Sequence, residues 1–407
     1  MRKIAIAGAL AACAITYGCG LVLDINPGNP IGSEDGGGTS SSGGNGGSDS
    51  STDTGGAPCD GEQLRCGGTC TDVKTSGTHC GRCDHDCVGG KCNAGVCEPV
   101  QVAGGLNRPY GIAIVGEDLY VTLAGSNEVV KIPKAGGMAQ TIVTNTPNQL
   151  TTAPGEIVSG VVGTTTYLAW GETNPDGRIR TCALPACSNI RGDHNGSMRN
   201  LSVAGGLLYF IQDHPDVDPN PASTEGRRCS FTNCGQNNQQ VIRNDGHTIG
   251  GLVVIGADIY YGRYRAQENP AGRIRRGVAS GNINSTTDIG TIPSPARDLT
   301  TDGKTLFGTL ESGNAIVKCP ITGGCTTPES FFSAAPRRIV SDNTNVYWTS
   351  FQPTPSIQWC PAADCKAETT KALVKDLFSP QEIVFDDKAI YWTNSIVNGQ
   401  VMKIAKP

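Results

Sequence analysis

The sequence has no surplus of basic charge. Lysine and arginine number 32 against 37 acidic residues, and the net charge is −5. Such a chain has no electrostatic attraction to nucleic-acid phosphates, and nucleic acid is excluded as a partner. Only four methionines are present, too few for a methionine copper site. There is no G-x-S-x-G, no H-E-x-x-H and no P-loop. Serines and threonines abound, but none has a recognisable base partner in the sequence. No catalytic residue is assigned. After the N-terminal segment, no stretch reaches about eighteen consecutive apolar residues, so no membrane-crossing helix is expected there.

What is abundant is glycine and cysteine. Glycine supplies 55 of 407 residues and charged residues only 17%, a mix that suits a turn-rich all-β protein with a flexible segment. Eighteen cysteines point to an oxidising compartment. The N-terminus agrees with export. Arg2 and Lys3 precede a short apolar run, Ile4 to Ile15, as in a signal peptide. Two cysteines, one near the end of this run and one after it, could carry a lipid. Leu10-Ala11-Ala12-Cys13 looks like a bacterial lipoprotein cleavage box but leaves a very short apolar region. Thr16-Tyr17-Gly18-Cys19 matches that box less well but lies at a more usual distance. Parity favours Cys19: Cys13 then leaves with the leader, and an even number of cysteines remains to pair. The expectation is a signal peptide over 1–19, lipidation at Cys19 and an outer-membrane or other cell-envelope location, with plain secretion as the alternative.

Residues 20–58 form a tether. From Asn26 to Pro58 the chain is almost wholly Gly, Ser, Asp, Thr, Asn and Pro, which cannot bury enough apolar surface to order itself. About 30 such residues reach roughly 30 Å. A cysteine-dense module follows over 59–97, with Cys59, Cys66, Cys70, Cys80, Cys83, Cys87, Cys92 and Cys97. Few large apolar residues separate them, so covalent links must replace a core. The stretch CGGTCTDVKTSGTHCGRCDHDCVGGKCNAGVC resembles the stigma-specific-protein-like cysteine-rich module, which implies extracellular disulfides. Zinc is the rival, because His79 and His85 flank Cys80 and Cys83. Eight cysteines allow 105 pairings, and none is assigned.

Residues 98–407 repeat one text. An apolar segment with an aromatic recurs as DLYVT, TYLAW, LLYFI, DIYYG, TLFGT, VYWTS and IYWTN, with reference aromatics Tyr120, Tyr167, Tyr209, Tyr260, Phe307, Tyr347 and Tyr391. The mean period is roughly 45 residues, that of a four-stranded propeller blade. Each unit has an inner strand such as GIAIVG or EIVFDD, a turn, the aromatic strand, a third strand such as GRIRR or GQVMK, and a weaker fourth. The last unit ends after its third strand, and residues of about 98–104 should supply the missing outer strand and close the ring. The fold predicted is a seven-bladed β-propeller, with six or eight blades, or a β-helix, as alternatives. The YWT of VYWTS and IYWTN resembles the YWTD propellers of lipoprotein-receptor ectodomains, and the inner strands resemble NHL-type propellers. The aspartate of YWTD is replaced by Ser350 and Asn394, so only the architecture is implied.

Eight further cysteines fall as close pairs: Cys182 with Cys187, Cys229 with Cys234, Cys319 with Cys325, and Cys360 with Cys365. In the aligned slots of other blades both cysteines are missing together, as Ile132 with Met138 and Gly277 with Asn282. Disulfides between third and fourth strands are expected, each contributing about 2 kcal/mol.

Two clusters mark the opposite face. His194, His214 and His247, with Asp213 and neighbouring Asp193, Asp216, Asp218 and Asp245, form a candidate metal or acid–base site, for zinc with histidine and carboxylate or calcium with oxygen ligands. Arg199, Arg297, Arg337 and Arg338 precede the first apolar residue of inner strands, with Glu156, Asp298 and Glu382 in similar slots. They form a candidate ligand-binding ring, in which guanidinium groups favour carboxylate, sulfate or sugar-acid ligands unless the mixed charges neutralise one another. The reading is a monomeric, lipid-anchored envelope protein whose propeller binds a protein or glycan. The alternatives are a propeller lyase or hydrolase using the histidines, and a structural envelope protein without a specific ligand.

Overall fold

The computed structural model describes residues 59–144, 153–173, 177–187, 190–193, 196–214, 223–234, 238–243, 246–281 and 285–407. The expected leader, tether and lipidation cysteine, Cys19, lie outside them. The regular secondary structure of the described chain is strand, apart from two single-turn 3₁₀ segments at Ala362–Asp364 and Ala367–Thr369. No described helix is long and apolar enough to cross a membrane.

Seven antiparallel four-stranded sheets make the ring. Their inner strands are Pro109–Val115, Pro154–Val162, Ser197–Ala204, Thr248–Ile255, Asp298–Thr301, Pro336–Ser341 and Pro380–Phe385. These define blades one to seven. In blade seven the outer strand is Val100–Leu106, which pairs with Gly399–Ala405 from the other end of the chain. The ring is therefore closed by hydrogen bonds between its termini, as the truncated last repeat implies.

The aromatic strand is the second of each blade, and its large side chains fill the space between neighbouring blades. Trp170, Phe210, Tyr260, Phe307, Tyr347, Trp348 and Trp392 are fully or almost fully buried, each contributing about 1.5–3 kcal/mol of apolar burial. Register corrects one alignment. Tyr120 faces Ala113 and Tyr391 faces Val384, but in blade two the residue facing the matching Val158 is Ala169, not Tyr167. Trp170 fills the interior there, and Tyr167 packs beside Phe231 with centroids 6.1 Å apart.

The threonine of the YWT segment links blades. Thr393 accepts from the Glu382 N–H at 3.2 Å and donates to the Tyr110 carbonyl of blade one at 2.6 Å. Thr122 bridges Gly111 to Gly155 in the same way, Thr309 bridges Asp298 to Arg337, and Thr349 bridges Arg338 to Gln381. Blade three has Ile211 in that slot. There Thr224 of the third strand takes over, accepting from Ile249 N–H and donating to His247 O. A short hydroxyl suits this place because it satisfies a donor and an acceptor inside a dry interface.

All four expected propeller disulfides are present, with Cα separations of 4.9 to 5.5 Å inside the range the bond requires. The module pairs Cys59 with Cys70, Cys66 with Cys83, Cys80 with Cys92 and Cys87 with Cys97. It packs its buried Cys80, Cys87 and Cys97 against Ile390, Ile404 and Ala405 of blade seven. His85 fastens the contact, with Nδ1 on Cys80 O at 2.6 Å and Nε2 on Lys406 O at 2.8 Å.

Candidate functional site at the channel mouth

Six of the seven inner strands enter the ring through the same local feature. A β-bulge lies just before the first aliphatic residue in blades one, two, three, four, six and seven. Bulges re-aim side chains, and here they serve two adjacent slots. The slot before the aliphatic residue holds Gly111, Glu156, Asn200, Gly251, Asp298, Arg338 and Glu382 around the ring. The slot before that holds Tyr110, Gly155, Arg199, Gly250, Arg297, Arg337 and Gln381.

Arg338 of blade six is the hub. Its guanidinium reaches Glu382 of blade seven, with Nη2 and Nε at 2.7 and 3.1 Å from Oε2. It crosses the channel to Glu156 of blade two, Nη2 to Oε1 at 2.5 Å, and lies 3.7 Å from Asp298 of blade five. Backbone N–H groups complete the carboxylates: Leu201 on Glu156 at 2.8 Å, and Leu299 and Ile339 on Asp298 at 3.0 and 3.1 Å. Asn200 of blade three donates to Arg297 O at 2.9 Å. The four hub side chains retain only 10–15% exposure, so together they plug the channel.

Burial and charge work against each other in the hub. Burial alone would raise Glu156, but Arg338 and the N–H groups of Leu201 and Asn200 hold it below the usual carboxylate range. Burial pushes Asp298 up to about 6, against the pull of Arg338 and with the push of Glu156. Burial pushes Glu382 up to about 7, again opposed by Arg338 and reinforced by Glu156 and Asp298. Arg338 is held strongly protonated, because its carboxylate neighbours outweigh the burial that would lower it. These are the causes expected when several acids share one cation.

Beside the plug lies a depression of about 300 Å³, lined by Tyr110, Glu156, Arg199, Asn200, Arg297, Glu311 and Arg338 among others. Its cations are paired. Arg199 grips Asp213 with two bonds of 2.9 Å and donates to Ile249 O at 2.7 Å. Glu311 holds both Arg297 at 2.5 Å and Arg337 at 2.9 Å. Arg337 also lies over the Phe351 ring, 3.6 Å from its centroid, a cation–π contact. Thus Arg199, Arg297 and Arg338 line one depression and Arg337 joins it through Glu311. The residues missed in the sequence are Glu311, Tyr110 and Asn200. Tyr110 and Asn200 carry the same positional signal as the arginines, whereas Glu311 comes from a loop with no periodic place.

The histidines fare differently. His194 lies outside the described residues, as do Asp216, Asp218 and Asp245. For His214 and Asp193 only the backbone is described, at the ends of strands Leu207–His214 and Arg191–Asp193. His247 is 3% exposed, with Nε2 2.7 Å from Glu268 and Nδ1 3.0 Å from Arg263 Nη2. The hydrogen bond to His247 holds Glu268 below its ordinary range. Asp213, the fourth residue of the expected metal set, holds Arg199. The two described metal-set side chains therefore engage different partners. Among the described residues, only Cys80, Cys87 and Cys97 bring three ligand atoms close enough for a metal, and all three are in disulfides.

No protein-family model and no curated protein matches the chain. Solved structures do. The chain is similar to virginiamycin B lyase from Staphylococcus aureus, at 15% identity over 76% of this chain and 99% of that one, with a TM-score of 0.57. It is similar to a streptogramin B lyase at 14% identity, over 75% of this chain and 96% of that one, with a TM-score of 0.55. It is also similar to the computationally designed Ika8 protein, at 9% identity over 75% and 98%, with a TM-score of 0.51. At such identities the likeness concerns the fold, and a propeller carries many unrelated functions.

Proposed function

We propose that this is a cell-envelope protein, anchored by a lipid on Cys19, whose propeller binds a glycan in the depression at the channel mouth. The observation that carries the reading is the pairing of charge before any ligand arrives. Four guanidinium groups, of Arg199, Arg297, Arg337 and Arg338, are met by Glu156, Asp213, Asp298, Glu311 and Glu382. A site whose guanidinium groups are all already paired with carboxyl groups has little net attraction for a free anion. It instead presents fixed N–H donors and carboxylate acceptors side by side, which suits the alternating donor and acceptor demands of neighbouring hydroxyls. Held polar groups also lose little freedom on binding. A protein ligand is the other occupant of the same mouth.

The mature chain on a glycan array, followed by calorimetry, tests this. Arg297→Ala removes one charged donor and leaves Glu311 with one of its two arginines, and the Kd for a bound glycan should rise roughly tenfold or more. A chain that binds no glycan, or a variant that binds unchanged, overturns the reading. Cleavage of the bound glycan would replace it with the lyase or hydrolase reading. The anchor is checked by mass spectrometry of the membrane fraction, where Cys19→Ala should abolish the lipid mass and release the protein.

A further inference from the structure

We propose that the Arg338 hub is a pH-sensitive tie, in which three carboxyl groups from blades two, five and seven share one guanidinium and the plug tightens when one of them takes up a proton. The geometry sets up an imbalance. Arg338 faces Glu156, Asp298 and Glu382, Tyr110 also acts on it, and Arg297 lies near Tyr110. Arg297 does not redress the imbalance, because its guanidinium is held by Glu311, which also holds Arg337. Arg199 is likewise held by Asp213. With all three hub acids ionised, one positive charge meets three negative ones in a nearly dry space. A neutral Glu382 keeps hydrogen-bonding capacity toward Arg338 and removes its own share of the repulsion.

The direction of the response follows from where the acids sit. Glu382 and Asp298 are raised to about 7 and about 6, above the ordinary values of unfolded carboxyl groups. The folded form therefore binds these protons more tightly. Stability rises as pH falls through the folded values and levels off near the unfolded ones. Glu156 is held low and acts the opposite way. Its contribution is present above the unfolded value and is lost only under stronger acid. The tie is tightest in the mildly acidic range and loosens toward alkaline pH.

The test is urea unfolding of the full mature chain at pH 6 and pH 8, for wild type and Glu382→Gln. Glutamine mimics the protonated acid. For one group at about 7, the wild-type folding constant should gain roughly tenfold relative to the variant on going from pH 8 to pH 6. Parallel behaviour of the two proteins overturns the proposal. Should the variant fail to fold, infrared spectroscopy of the wild type decides. A buried protonated-carboxyl band present at pH 6 and absent at pH 9 supports the tie, and its absence at pH 6 refutes it.

Discussion

Replacing Thr393 with valine removes one oxygen and nothing else of consequence in shape. The side chain is fully buried. Its hydroxyl accepts from Glu382 N–H at 3.2 Å and donates to Tyr110 O at 2.6 Å. Valine leaves a donor and an acceptor unmet in a dry interface, each costing about 1–3 kcal/mol. Part is recovered because a methyl group is easier to bury than a hydroxyl. The expected net loss is about 2–4 kcal/mol, and it falls at the seam where the first and last blades meet. Thr393→Ser keeps the hydroxyl and should remain within about 1 kcal/mol of wild type. Urea unfolding followed by tryptophan emission reports directly, since Trp170, Trp348 and Trp392 are fully buried. A valine variant indistinguishable from the serine variant would refute the argument that this hydroxyl bridge joins the blades.

Two further outcomes follow from contacts on the opposite face. His85→Ala deletes both links, to Cys80 O and Lys406 O, and amide exchange should accelerate around residues 84–90 while blades two to five remain unchanged. Uniform protection throughout would deny that His85 clasps the module. Asp386 accepts from Lys388 and Ala389 N–H and from Lys134, and these outweigh burial to hold its carboxyl below the ordinary range. Its stabilising effect is therefore present above the unfolded value and lost as pH falls through the folded one. Asp386→Asn should cost about 1 kcal/mol at neutral pH, and the gap should close in acid; a gap constant from pH 7 to pH 3 contradicts this.

The architecture was readable because a propeller writes its period into the chain. Seven aromatic segments, a missing final strand and paired cysteines each constrain the ring independently, and the sheets and disulfides agree. The misplaced aromatic of blade two shows where periodicity stops. Its inner strand runs nine residues, Pro154–Val162, so the hairpin turn comes two residues later on each strand and Tyr167 falls two places nearer the turn than the repeat slot, which Ala169 fills. The module pairing was not readable, because its cysteines are interleaved rather than nested and spacing alone does not choose among pairings. The arginines at the blade entries were readable from their slot. Glu311, which pairs two of them, was not, nor was Glu268, which holds His247: both lie in loops, where neither period nor turn chemistry fixes a direction.

The off-centre depression has its own cause in the same slots. Blades five, six and seven send Asp298, Arg338 and Glu382 inward, and only Glu156 meets them from the far side. Blade four sends nothing, since Gly250 and Gly251 occupy both of its slots. Neither glycine is free to change. A Cβ at Gly250 would collide with the Ala296 carbonyl, and Gly251 has a φ of +59° with Leu299 Cγ 2.8 Å from where its Cβ would lie, a conformation other residues adopt only with strain. Close approach between blades four and five thus requires side chains to be absent there. The ring closes tightly on that side by leaving room inside it. The plug fills the side with long charged residues, and the depression opens beside Thr248, Ile249 and Gly250. Packing between blades and the shape of the mouth are therefore set by the same few residues, which is why a side chain added at Gly250 or Gly251 to fill the depression should lower the stability of the ring in urea unfolding.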